Sequence, residues 1–252
     1  MKRGALAAAA VVLLNIACIC FYRYYKVTWL PEKNVDDAYI GQLELFERIK
    51  PESSDDDPKT KASDKASKNL AKAQEINSSI VGWITIPETN IDYPIVQGDD
   101  NDFYLHNGFD GKYNYDVGCP FLDYRCDGDL SGFNSIVYAH NMIDRRMFAD
   151  VSLFKDSGFM SEVPCGELTT HDSIHNIRFF AYLNVPSTSP LYHAVFITDS
   201  ERDDYLDYIF SEALYTQGVS REDIGADAHL LLLSTCTFEY DDARGVVVGI
   251  IE

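Results

Sequence analysis

The chain has 252 residues, 46% of them hydrophobic, which is enough for a packed core and too apolar for a disordered chain. Lys and Arg number 21 against 40 Asp and Glu, a formal charge of -19. That balance argues against a nucleic-acid backbone as partner, because such binding rests on clustered basic residues.

Residues 4–22, GALAAAAVVLLNIACICFY, carry no charge. Their length is near that of a membrane-spanning helix, since about 20 residues cover a ~30 Å hydrocarbon core. Lys2 and Arg3 precede the run, and Arg23 and Lys26 follow it. The stretch reads as one transmembrane helix, an uncleaved signal anchor with residues 1–3 as a cytoplasmic stub and the C-terminal part outside the cell. A cleaved signal peptide is the competing reading, but no small-x-small cleavage site is evident at the end of the run. Phe21, Tyr22, Tyr24, Tyr25 and Trp29 suit a membrane interface.

Residues 23–75 read as an amphipathic helix and a linker. In 34–50 the apolar residues Ile40, Leu43, Leu45, Phe46 and Ile49 recur at helical spacing. Residues 51–68 are acidic, then rich in Ser, Lys and Ala, and read as a solvated linker that turns helical toward 69–76.

From residue 76 the texture changes. VGWITIPETNIDYPIVQG alternates apolar and polar residues around Pro87 and Pro94, the pattern of strand, turn and strand. Residues 134–140, 177–183 and 191–197 read as further strands. Residues 199–215 read as a helix with Tyr205, Leu206, Ile209, Phe210 and Leu214 on one face. Residues 230–233 and 246–251 are apolar runs with the length of core strands. Many short strands and few helices predict a mainly β domain, barrel or sandwich.

Cys236 lies just past the first of the last two strands, and Arg244 lies at the entrance to the second. A hairpin-like pair would bring thiol and guanidinium to one rim. A thiol alone is weak evidence, because free cysteine is usually a small core residue and titrates near pH ~8.5. It needs a basic neighbour. Of the 6 histidines, His140 stands out, since it closes the apolar run NSIVYAH as Cys236 closes LLLLSTC. His171 and His175 are four apart but lack a helix or an acidic ligand pattern, so no metal and no cofactor is expected. Cys119 and Cys126 flank PFLDYR and could pair across a turn, which spacing does not establish.

LSTCTFEYDDARGVVVG resembles the TLxTC signature of sortases with its following Arg, with Leu232 where the signature begins with Thr. VGWITIPETNIDYPIVQGDDNDFYLHNGFDG, GCPFLDYRCDGD and NSIVYAHNMIDRRMFADVSLFKD resemble class B of that family, and the likeness runs over 76–252. Departures are Cys119-Pro120, where the family more often has small and apolar residues, and Ala139, where Gly usually precedes the histidine.

The resemblance implies a closed, sortase-like β-barrel with a few helices, and a membrane-anchored cysteine transpeptidase on a Gram-positive surface. Such an enzyme cuts a sorting motif near the C-terminus of a secreted protein through a Cys thioester. It then passes the acyl group to an amine of a cell-wall precursor or, as an alternative, of a pilin subunit. Cys236 would be the nucleophile, His140 the general acid/base and Arg244 the oxyanion or substrate-orienting cation. Asn101, Leu105, Tyr138, Ser234 and Thr237 would line the substrate groove. An exported cysteine hydrolase on the same scaffold is a further alternative, whereas a binding-only domain has no need of the whole trio.

Overall fold

A computed structural model of the chain describes residues 2–51 and 70–252, the side chains of 2–12 excepted. The linker expected at 51–68 lies outside the described residues but for Pro51. Helix α1 (Lys2–Tyr24) runs through a π-helical turn, Tyr25–Trp29, into α2 (Leu30–Ile49). Among the described residues no helix is long and apolar enough to cross a membrane.

The barrel is a closed sheet. Its strands are β1 (Ile80–Thr85), β2 (Asp92–Gln97), β3 (Phe121–Leu122), β4 (Asn134–Tyr138), β7 (Cys165–Thr169), β8 (Ile174–Pro186), β10 (Leu230–Cys236) and β11 (Ala243–Ile251). They follow the order β11-β10-β4-β3-β2-β1-β7-β8, and β8 returns to pair with β11. β8 closes the ring because it is long. Its first part pairs with β7 and its remainder with β11. A small hairpin, β5 (Asn141–Met142) with β6 (Arg146–Met147), projects beyond β4, and β9 (Tyr215–Thr216) adds to β8. The expected mainly β, closed-barrel class is what forms.

The interior explains the sequence pattern. Leu230 to Leu233 are all buried, because β10 is flanked by β4 and β11 and covered on both faces, so a continuous apolar run replaces alternation. Helix α3 (Asp199–Glu212) starts at a capping box in which Thr198 accepts from the Glu201 N–H and Glu201 reaches back to the Thr198 N–H. It buries Tyr205, Leu206 and Ile209, while Leu214, expected on the same face, lies past its end and is exposed.

Two expectations are corrected. Residues 191–197 do not form a strand: Pro190–Tyr192 is a 3-10 turn capped by Ser189, followed by irregular chain. Pro190 starts the turn with its fixed φ, and the segment covers the barrel rim rather than joining the sheet. In α2 the buried stripe is Tyr39, Gln42, Phe46 and Ile49, and Ile40 is exposed. Apolar spacing alone chose the wrong face edge, because Gln42 enters the interface to bond the backbone. Its Nε2 donates to Gly118 O at 2.8 Å, and its Oε1 accepts from Phe109 N–H at 2.9 Å.

Phe46 sits edge-on to Trp83, Tyr93 and Phe109, with ring centroids 5.9 to 6.2 Å apart. It is the main apolar anchor of α2. Phe46→Ala is expected to cost about 3–5 kcal/mol in urea unfolding of the full chain. A loss below about 1 kcal/mol would mean that α2 docks independently of the barrel's stability.

Candidate active site

β10 ends on Cys236, three residues past the apolar run 230–233 that the sequence marked as strand. In the antiparallel ladder Cys236 faces Arg244 directly. Directly opposed residues share a sheet face. β4 runs parallel to β10, with Tyr138 beside Ser234. The pairing continues past the strand end through three hydrogen bonds. Ala139 N–H donates to Ser234 O at 3.3 Å, Thr235 Oγ1 to Ala139 O at 2.8 Å, and Asn141 Nδ2 to Cys236 O at 2.8 Å. His140 therefore stands as far beyond Tyr138 as Cys236 stands beyond Ser234. All three groups are part-exposed and line one cavity of about 360 Å³.

The imidazole is held from the side away from the sheet. His140 Nε2 lies 2.8 Å from Leu105 O. A carbonyl only accepts, so Nε2 carries a hydrogen, and the neutral ring keeps its free lone pair on Nδ1. Gly118 makes room for this contact. It has φ +69, and a β-carbon there would lie 2.8 Å from Leu105 O and 3.2 Å from His140 Cδ2. Gly118 O in turn takes the Gln42 hydrogen bond, so α2 braces the backbone behind the histidine.

One wall of the groove is aromatic. Tyr138 stacks on Tyr192 at 6.0 Å between centroids and touches Phe121 at 5.4 Å. The Tyr192 hydroxyl pairs with Ser234 Oγ at 2.9 Å, and burial pushes its pKa up to about 12. The polar end rests on Asp123, which is fully buried. Arg125 grips it with Nε and Nη2 at 2.8 and 2.6 Å, Asn101 Nδ2 donates at 2.9 Å and Tyr138 OH at 3.0 Å. Burial acts to raise this carboxyl, and the bonds from Arg125, Asn101 and Tyr138 outweigh it and leave it below its ordinary value.

Asn101, Leu105, Tyr138 and Ser234 all line the cavity. Asn101 is already engaged, since besides Asp123 its Oδ1 accepts from Tyr124 N–H at 3.1 Å. Thr237 does not line it. Extended chain alternates faces, so the residue after Cys236 turns away, and Thr237 Oγ1 reaches Asn184 Oδ1 at 3.5 Å. Cys119 and Cys126 are both free and buried, and the Cys126 Sγ donates to Asn134 O at 3.2 Å, so the bridge considered across PFLDYR does not form. Sequence reasoning missed Gly118, Asp123, Arg125, Ser187 and Tyr192. The Asp123-x-Arg125 spacing was a readable signal, whereas Tyr192 sat in a segment taken for strand.

A closed barrel that gathers thiol, imidazole and guanidinium at one rim is the framework of a cysteine acyl-transfer enzyme. No family model matches the chain. It is 32% identical over 179 residues to sortase B of Listeria monocytogenes, covering 71% of each chain. Its fold is similar to a mutant form of Clostridium perfringens sortase B, with TM-score 0.74 and 26% identity over 83% of this chain and 96% of that one. Sortase B of Bacillus anthracis gives TM-score 0.65 and 31% identity, over 73% of this chain and 84% of that one. The chain belongs to the sortase family, class B, and is a cysteine transpeptidase of that type.

Gly118→Ala is expected to displace Leu105 O and the imidazole and to lower kcat ~10- to 100-fold in an otherwise folded protein. Wild-type kcat in this variant would show that the contact does not orient the ring. A second expectation concerns Asp123. Its folded pKa is depressed, so its contribution is whole above the unfolded value of ~3.9 and is lost as pH falls through the folded one. The stability gap between wild type and Asp123→Asn, read by urea unfolding, should therefore narrow from pH 7 toward pH ~3. A gap independent of pH would refute this account of the groove floor.

Proposed function

We propose that the chain is a membrane-anchored, exported transpeptidase that joins a sorting-motif peptide of a secreted protein to an amine of a cell-wall precursor. The observation that carries the reading is the pairing of Cys236 with Arg244 across β10–β11, with His140 two residues past the end of the adjoining parallel strand at the same groove. Cys236 is the nucleophile, His140 the general acid/base and Arg244 the oxyanion or substrate-orienting cation. The peptide lies along Leu105, Tyr138, Tyr192 and Ser234.

The steps follow from these groups. The thiol proton passes to His140 Nδ1 as sulfur attacks the scissile carbonyl. The oxyanion that forms is met by N–H groups of Arg244. As the C–N bond breaks, His140 returns a proton to the departing amine, and the acyl group stays as a thioester. An acceptor amine then attacks the thioester, loses a proton to His140, and forms the new amide as the thiol reforms. The apolar walls disfavour water as the competing nucleophile.

Anchoring is supported by α1, whose residues Leu13, Leu14, Ile16, Ile19, Phe21 and Tyr22 are all exposed apolar side chains. A helix that exposes apolar side chains is stable beside lipid. In cells the full chain should stay with membranes through an alkaline carbonate wash, and deletion of residues 1–26 should release it. Release of both forms alike would refute the anchor.

For the chemistry, the full chain in detergent is incubated with a sorting-motif peptide library, with and without an amine acceptor, and followed by mass spectrometry. An acyl adduct is expected on Cys236, and it should vanish in Cys236→Ala. Arg244→Lys keeps charge but loses the planar fork, and is expected to lose rate ~100-fold or more. Amide product from Cys236→Ala would sink the nucleophile assignment. Acid as the sole product with every amine tested would favour the hydrolase alternative.

A further inference from the structure

Arg244 does not hold its own position. Among the described residues its Nη1 donates only to the neighbouring Ala243 carbonyl, at 3.1 Å. Among the described residues, Asp242 is the one carboxylate within ion-pair distance, with its Oδ1 3.0 Å from Arg244 Nη2. The other carboxylate oxygen faces the opposite way. Asp242 Oδ2 accepts from Ser187 N–H at 3.2 Å and from the Ser187 hydroxyl. Ser187 lines the catalytic cavity and directly follows Pro186, the last residue of β8 and the partner of Ala243 across the ladder. The chain that Ser187 begins carries Tyr192, which stacks on Tyr138 and bonds Ser234.

The backbone is shaped for this link. Asp242 has φ +63, in the left-handed region that Asp and Asn enter more readily than most side chains. The turn is closed on both sides, by Ala243 N–H on Tyr240 O at 3.2 Å and Thr237 N–H on Ala243 O at 2.9 Å. The turn thus fixes the carboxylate between two clients on different strands. The Ser187 bonds first, and the Arg244 charge after them, hold the Asp242 carboxyl below its usual range, as expected for an ionised acceptor serving both.

We propose that Asp242 is a positioning residue for the transfer reaction: it bridges Ser187 to Arg244 and so sets the guanidinium's orientation toward the groove. The inference rests on the reading of Arg244 as the cation that meets the oxyanion. A guanidinium on three sp³ torsions is otherwise free to swing, and its value to a developing oxyanion depends on donor direction rather than on charge alone. Asp242 touches no reacting atom in this role. It acts through Arg244, and its effect belongs in kcat.

The test is a double-mutant cycle on the full chain, using one library peptide that the wild type converts and hydroxylamine as acceptor. Asp242→Gly removes the carboxylate and tolerates φ +63 without strain. It is expected to lower kcat ~10- to 100-fold with KM nearly unchanged, and to cause no further loss in an Arg244→Ala background. Equal losses in both backgrounds, or an unchanged kcat, would overturn the proposal. Should Asp242→Gly lose its cooperative thermal transition, Asp242→Asn carries the cycle. Asn accepts the left-handed backbone but offers one oxygen in place of two, so a smaller loss is expected, again absent when Arg244 is already gone. Product formation by Cys236→Ala in the same assay would instead refute the nucleophile assignment, and leaves a distinct signature from any result at Asp242.

Discussion

The register shared by β4, β10 and β11 is the constraint on which the site depends. Parallel pairing of β4 with β10 brings the chain leading to His140 beside the chain leading to Cys236, and antiparallel pairing of β10 with β11 sets Arg244 opposite Cys236. Side chains in a strand alternate, so a slip of one residue in either ladder would send one of the three groups to the wrong face. The slip is prevented by burial rather than by the site itself. Leu230 to Leu233 and Val246 to Val248 are fully enclosed, and each is matched to one partner. A one-residue slip of β10 would move the polar Ser234 into the position now filled by Leu233. Apolar packing thus sets a geometry whose use is polar.

The support behind the groove is equally specific. Asp123 is a buried charge, a placement that is costly unless every oxygen is met. Here Arg125 supplies a planar fork, and Asn101 and Tyr138 complete the set. The same acid therefore orients Tyr138, and through the ring stack it orients Tyr192. On the other side, α2 reaches His140 by Gln42, Gly118 and the Leu105 carbonyl. The N-terminal helix lies outside the barrel, yet its one buried amide supports the backbone against which the imidazole rests.

These links divide what could be read in the sequence from what could not. The two apolar runs near the C-terminus, the parallel endings SIVYAH and LLSTC, and helix α3 are local patterns, and they were legible as such. Local pattern also put Cys236 within reach of Arg244. It failed where a residue's partner is remote. Gln42 looks like a solvated position on its helix until the backbone of residues 109 and 118 is placed beside it. Residues 191–197 have strand composition, but Pro190 starts a tight turn. Thr237 was assigned to the groove by likeness of motif, and strand alternation turns it away. The short strands β3 and β9 exist because longer ones pass beside them, and β5 and β6 pair with each other, which no window of sequence records.

The charge pattern of the groove separates how the enzyme selects from how it reacts. The chain carries a formal charge of -19, so a peptide approaching it meets a negative field overall. Both arginines that line the cavity are locally neutralised, Arg125 by Asp123 and Arg244 by Asp242. Neither pair adds net charge to the groove, and beyond a Debye length of about 8 Å the field of each is screened in physiological salt. Attraction by charge at a distance is therefore a poor basis for choosing a substrate at this site. What the cavity offers is directional: arginine N–H groups and hydroxyls held at fixed angles among the rings of Phe121, Tyr138 and Tyr192. In the proposed mechanism the guanidinium's worth appears late, when the attacked carbonyl becomes an oxyanion and a pre-aimed donor is stronger than it was toward the ground state.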